Sequence, residues 1–185
     1  MSENLEQQKS SWYAMVTKPG FAYDVLALVR AAAAKSGVAV ECFVPECRVV
    51  DGRGASSVAE RRELAPVCLV KLNDSPDGLL NEMKKTSALR RFAGRKAEFL
   101  PLRSEDAAWI DENAAPEGHG RVFDMSEGHI ENGSVTVTSG PLVGRENWID
   151  KVSHRKKRAR LHIDMFGSAM DVEMGLKLVG KKAHS

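Results

Sequence analysis

The sequence predicts an α+β domain, an antiparallel sheet with flanking helices, followed by a small all-β barrel. Three observations carry this reading. One long alanine-rich helical stretch lies near the start, the strands that follow succeed one another instead of alternating with helices, and about the last 50 residues hold five short β runs. The 185 residues, 43% apolar and 28% charged, suffice for packed cores and allow two small domains.

The elements follow in order. Trp12-Tyr13-Ala14-Met15-Val16-Thr17 is aromatic and β-prone and stops at Pro19-Gly20, which predicts a strand. From Phe21 to Lys35, Phe21, Val25, Leu28 and Val29 recur near helical spacing, with Gly37 as the stop. Val38 to Val50 alternates again, bent at Pro45. Asp51 to Ser57 is turn chemistry between Cys47–Val50 and Ala59–Leu64, which predicts a hairpin and its tip. Val67 to Leu72 reads as a central strand. A second helix is expected over Pro76–Lys85 with Ser75 at its N-cap. A third is expected over Glu105–Glu112, capped by Ser104 with acids in its first turn. The order β-α-β-β-β-α-(β)-α is that of an α+β domain and not of repeated βαβ units.

Pro116 and four glycines between Asn113 and Gly133 predict a linker holding at most one short strand, Arg121–Met125. Beyond it, Ser134–Thr138, Trp148–Val152, Arg158–Met165, Ala169–Met174 and Leu176–Val179 are the expected barrel strands. The domains are therefore placed at 11–113 and 129–182, with 114–128 between them.

The chain's 27 Lys+Arg against 25 Asp+Glu name no partner, but their distribution does. Residues 121–185 carry 11 basic and 8 acidic side chains, whereas the first 120 carry 16 and 17. Six of the basic residues fall between Lys151 and Arg160, and no acid occurs from Lys151 to Ile163. Lys151, His154, Arg155, Lys156, Lys157, Arg158 and Arg160 thus surround a turn between two expected strands. Such a cluster can be a solvated face, or it can contact several phosphates with a steep salt dependence. Trp148 just before it is either core or a platform on which a base stacks.

The most specific pattern is Val135-x-Val137-x-x-Gly140-Pro141-x-x-Gly144-x-x-x-x-Ile149: a strand, a Gly-Pro turn, a second glycine suited to positive φ, and a returning strand. Basic residues follow, and then Met165-Phe166-Gly167-Ser168-Ala169-Met170-Asp171-Val172-Glu173. Together these resemble the KOW domain of the NusG family of transcription elongation factors. The first half resembles that family's N-terminal (NGN) domain in Trp12-Tyr13, Gly20-Phe21 and the helix behind it, and Glu60-Arg61-Arg62 in a hairpin. Phe92-Ala93-Gly94 and Leu100-Pro101-Leu102-Arg103-Ser104 extend the match. The resemblance spans about residues 11–181.

It implies an SH3-like KOW barrel, and an N-terminal domain that docks on RNA polymerase through an apolar surface. Where the family has an aromatic-Pro-Gly-Tyr run, this chain has Leu64-Ala65-Pro66-Val67, so the docking residues expected are Leu64, Pro66 and Val67 with Trp12 and Phe21. The KOW domain would meet nascent RNA, in hairpin form, or a ribosomal or termination protein. Trp148 and the basic cluster are the expected RNA contacts. The density of charge most resembles the specialised antitermination paralogues of LoaP type. A translation- or ribosome-associated RNA-binding protein without polymerase contact is the alternative.

No enzyme is expected. Cys42, Cys47 and Cys68 lack paired C-x2-C spacing, so zinc is not expected, and three cysteines cannot all pair within one chain. Gly52-x-Gly54 does not open a helix, and there is no Walker A pattern. No cofactor and no metal are expected. The first ten residues lack the apolar centre of a signal peptide, and no apolar run approaches the ~18 residues of a membrane span. The expectation is a cytoplasmic monomer.

Overall fold

A computed structural model describes residues 11–51 and 57–180, with Asp51 described by its backbone alone. The tip of the first hairpin, with Gly52 and Gly54, lies outside the described residues. The architecture is mixed α+β, in two compact units: 1–44 with 66–103, and 45–65 with 104–185.

In the first unit, β1 (Ser11–Val16), β2 (Glu41–Phe43), β5 (Val67–Leu72) and the short β6 (Leu100–Pro101) form a sheet in the order β2-β5-β1-β6, all antiparallel. The alternation seen in sequence sorts β5 by face. Cys68, Val70 and Leu72, with Met15 and Cys42, join a core completed by α1 (Ala22–Ser36), α2 (Asp77–Lys84) and α3 (Ala88–Ala93). Helix α1 buries Ala22, Val25, Leu26, Val29, Ala32 and Ala33 and stops at Gly37; of the expected stripe, Val25 and Val29 are buried, and Phe21 and Leu28 are half-buried. The N–H of Gly37 and of Val38 bond the carbonyls of Ala34 and Ala33. Phe21 stacks on Phe92 of α3 with ring centroids 5.3 Å apart, fixing the start of α1 against α3. On the other face of the sheet, Trp12, Ala14, Phe43, Val67 and Leu69 are buried, and the Trp12 ring meets Phe43 edge-on at 5.4 Å.

In the second unit, β3 (Glu46–Asp51) and β4 (Val58–Glu63) form the expected hairpin, in register from Glu46↔Glu63 to Asp51↔Val58. The expected linker is not one. It holds β7 (Ala114–Glu117) and β8 (Gly120–Phe123), and β9 (Ser126–Glu131) begins within it. These extend the hairpin into a sheet of order β4-β3-β8-β7. Pro116 is tolerated because β7 is the edge strand, where a missing amide costs no ladder bond. The boundary therefore differs from the expected one: the hairpin and α4 (Ser104–Asn113) belong with the C-terminal strands.

Those strands, β9, β10 (Ser134–Ser139), β11 (Ile149–Ser153), β12 (Arg158–Ile163) and β13 (Met170–Leu178), form a sheet ordered β10-β9-β13-β12-β11. It is antiparallel except for β13 beside β9. The two last expected strands are one, because Gly175 does not interrupt the ladder. No helix among the described residues is long and apolar enough to cross a membrane.

Candidate nucleic-acid interface

The glycine-proline turn is built as its spacing demands. Gly140 has φ +91° and Gly144 has φ +73°, the left-handed region that suits glycine. A Cβ on Gly140 would lie 2.6 Å from the Ser126 Cα, so no larger residue fits there. The Ser126 hydroxyl accepts the Leu142 N–H at 3.1 Å, and the Glu146 carboxylate accepts that of Val137 at 3.2 Å. This turn delivers the chain, through a 3-10 turn at Glu146–Trp148, into β11.

Strands β11 and β12 form the basic hairpin, with Lys151 opposite Arg160 and Ser153 opposite Arg158. Its tip is closed by the Lys156 N–H to the Ser153 hydroxyl (3.2 Å) and the Lys157 N–H to the His154 carbonyl (3.3 Å). Lys157 takes φ +50°, and its carbonyl accepts the Leu176 N–H at 2.9 Å, which ties the tip to β13.

The seven expected RNA-contacting side chains of this hairpin divide into two groups. Arg158 is buried, 8% exposed, with Nη1 3.5 Å from the Glu173 carboxylate. Arg160 is exposed but grips Asp150 through Nε at 2.8 Å and a second N–H from Nη2. That carboxylate, foremost through its hydrogen bonds, raises the Arg160 pKa further. The other group is free. Lys151, His154, Arg155 and Lys156 are exposed and Lys157 half-buried, and among the described residues none of them forms an ion pair. Five adjacent donors on a fixed hairpin are a surface for phosphate groups, worth the most at low salt.

Trp148 is half-buried, and it is not a bare platform. The Trp109 ring meets it edge-on at 5.2 Å, and the Arg145 guanidinium sits over its face 4.8 Å from the centroid. Trp109 in turn stacks on Phe123 at 4.5 Å and donates its Nε1–H to the Pro141 carbonyl at 2.8 Å. Sequence reading missed Trp109, whose only signal is a large aromatic within an otherwise polar helix.

The expected polymerase-docking residues are mostly core. Val67 is fully buried on β5 opposite Val16, Trp12 is 2% exposed against Phe43, and Leu64 is 5% exposed. The Leu64 N–H bonds the Pro45 carbonyl at the base of the first hairpin. Phe21 and Pro66 are half-buried. With Trp12, Leu64 and Val67 buried and only Phe21 and Pro66 partly accessible, the structure does not present the five as one exposed apolar patch. Trp12, Leu64 and Val67 fill the interior.

Cys42, Cys47 and Cys68 are free and buried. Burial pushes the Cys47 thiol up to about 11, against a smaller opposing pull from Arg158, and raises Cys42 and Cys68 as well. Among the described residues no group of three or more His, Cys, Asp and Glu side chains is placed to hold a metal ion.

No protein-family model and no curated protein matches the sequence. Among solved structures, the chain is similar to NusG of Thermotoga maritima, determined in a study of domain interaction in that protein. The match has 14% identity and a TM-score of 0.46, over 90% of this chain and 94% of that one.

Proposed function

We propose that the protein is a NusG-type transcription elongation and antitermination factor of the specialised, LoaP-like kind, whose second unit contacts nascent RNA. The observation that carries this reading is the group of cations without ion-pair partners at Lys151, Arg155, Lys156 and Lys157, with the exposed His154 among them. They are held on a hairpin whose other arginines already have carboxylate partners. A-form RNA is read mainly through its backbone, loops and bulges, and a set of exposed cations on a hydrogen-bonded turn suits those features. The KOW-like pattern in sequence is consistent with this, since Gly140 and Gly144 adopt the positive φ that the motif requires.

In this reading the first unit binds RNA polymerase while the second meets an RNA hairpin, so tethering gives a weak RNA contact a high effective concentration. The protein acts in the cytoplasm as a monomer and without a cofactor. Run-off transcription on terminator templates tests it: added protein increases read-through, and a Lys151→Ala/Arg155→Ala/Lys156→Ala variant does not. Unchanged termination with the intact protein would remove the proposal.

The burial of Trp12, Leu64 and Val67 favours a second reading, an RNA-binding protein of the translation apparatus that makes no polymerase contact. Affinity purification from cell extract separates the two. Polymerase subunits support the first, and ribosomal proteins alone support the second.

A further inference from the structure

The hairpin is not the only basic surface. From Lys84 to Ala97 the chain carries six Lys and Arg residues and no acid. This stretch runs from the end of α2 through α3 and into the segment beyond it, all within the first unit. It encloses a cavity of about 340 Å³, lined by Lys84, Arg90 and Arg95 around Thr86, Leu89 and Ala97.

The neighbouring carboxylates do not neutralise it. Glu82 is engaged by Lys35 and Lys85, and the first of these contacts leads in holding its carboxyl below the usual range. Arg91 lies over the Phe92 ring, 4.6 Å from its centroid. Lys84, Arg90 and Arg95 are exposed, and among the described residues they form no ion pair, with Glu98 or any other acid. Leu89 and Ala97 are buried and supply apolar surface. Three cations lining one pocket beside an apolar wall fit a ligand that joins phosphate to a flat, weakly polar body. The volume falls near the lower end of the roughly 300–1,000 Å³ of small-molecule sites.

We propose that this cavity binds a nucleotide, its phosphates on Lys84, Arg90 and Arg95 and its base or sugar against Leu89 and Ala97. The nucleotide is a free nucleoside polyphosphate. The site stands on the first unit alone and uses no residue of the hairpin.

The experiment uses the full chain carrying Lys151→Ala/Arg155→Ala/Lys156→Ala, so that the hairpin's contribution is reduced, and it reads the effect of the cavity arginines against that background. ATP, inorganic pyrophosphate and a short single-stranded RNA are titrated by calorimetry. Saturable binding of ATP, tighter than that of pyrophosphate, identifies a free nucleotide. Binding of the RNA without ATP overturns the proposal. Adding Arg90→Ala and Arg95→Ala lowers ATP affinity about tenfold for each arginine, as expected for charge-assisted hydrogen bonds. These arginines are exposed, and circular dichroism verifies that the fold persists. Lys84→Ala alone supplies a second, milder variant. Binding of none of the probes, or binding unchanged in the folded arginine variant, overturns the proposal.

Discussion

Residues 151–160 and 84–97 each hold six Lys and Arg residues with no acid, yet the fold treats them differently. In the β hairpin, strand pairing brings Asp150 against Arg160 and Glu173 beside Arg158, so two of the six cations are spent within the sheet. In the helical segment, Glu82 reaches Lys85 while Lys84, Arg90 and Arg95 stay unpaired around a cavity. A strand meets partners that lie far away in sequence, so a local excess of charge says little about the charge left over. Helical charges at the end of a compact unit keep more of theirs.

The largest effect expected is on RNA binding by the hairpin. Lys151→Ala/Arg155→Ala/Lys156→Ala is expected to weaken binding of a structured RNA by orders of magnitude at low salt. The slope of log K against log salt falls by about 2–3, as read by titration across ionic strength. An Arg158→Ala/Arg160→Ala variant with the same loss of slope would break the distinction between spent and free cations.

The buried setting around Arg158 has an alkaline signature through its neighbour Cys47. The Cys47 thiol titrates at about 11 in the folded chain against 9.0 for an exposed cysteine, because burial disfavours the thiolate. A raised folded pKa leaves stability intact below about pH 9 and removes it between about pH 9 and 11, here by about 2–3 kcal/mol. Urea unfolding at both ends of that window measures the fall, and Cys47→Ala makes it smaller. The raised thiols of Cys42 and Cys68 maintain part of it.

Arg158→Ala is expected to destabilise the protein by about 1–3 kcal/mol, since it empties a buried position and leaves Glu173 without that partner. Arg155→Ala, on the exposed tip, stays within about 0.5 kcal/mol of wild type in the same urea titration. Equal losses would mean that Arg158 is no more structural than the tip.

The smallest effect is also the sharpest test. Asp150→Asn releases Arg160 from its carboxylate, turning a spent cation into a free one. RNA affinity is then expected to rise, with the salt slope steeper by about one. No change would mean that Arg160 cannot reach the RNA even when released.

Much of the local structure was legible because its causes are local. The alanine-rich period predicted α1 almost to the residue, and the turn chemistry after Val50 predicted the β3–β4 hairpin. The Gly140-Pro141-x-x-Gly144 spacing marked a turn that only glycine could build at its first position. Residues 114–128 misled because Pro and Gly break most elements but not every one. Pro116 sits on an edge strand, and Gly128 lies in β9 where a Cβ would come 2.4 Å from the Thr136 carbonyl oxygen. Helix α3, only six residues long, offers too few turns for a period to show.

By itself, then, the sequence determined the α+β class, the main helices and strands, the glycine-proline turn and the position of the basic hairpin. Tertiary structure alone decided that Trp12, Leu64 and Val67 are interior, and that Trp109 ties Phe123, Pro141 and Trp148 together. It also decided that the first hairpin belongs with the C-terminal strands. Which cations remain free was settled there too. Periodicity and turn chemistry act within a few residues of chain, whereas burial and charge pairing depend on neighbours from strands as remote as Glu173 is from Arg158.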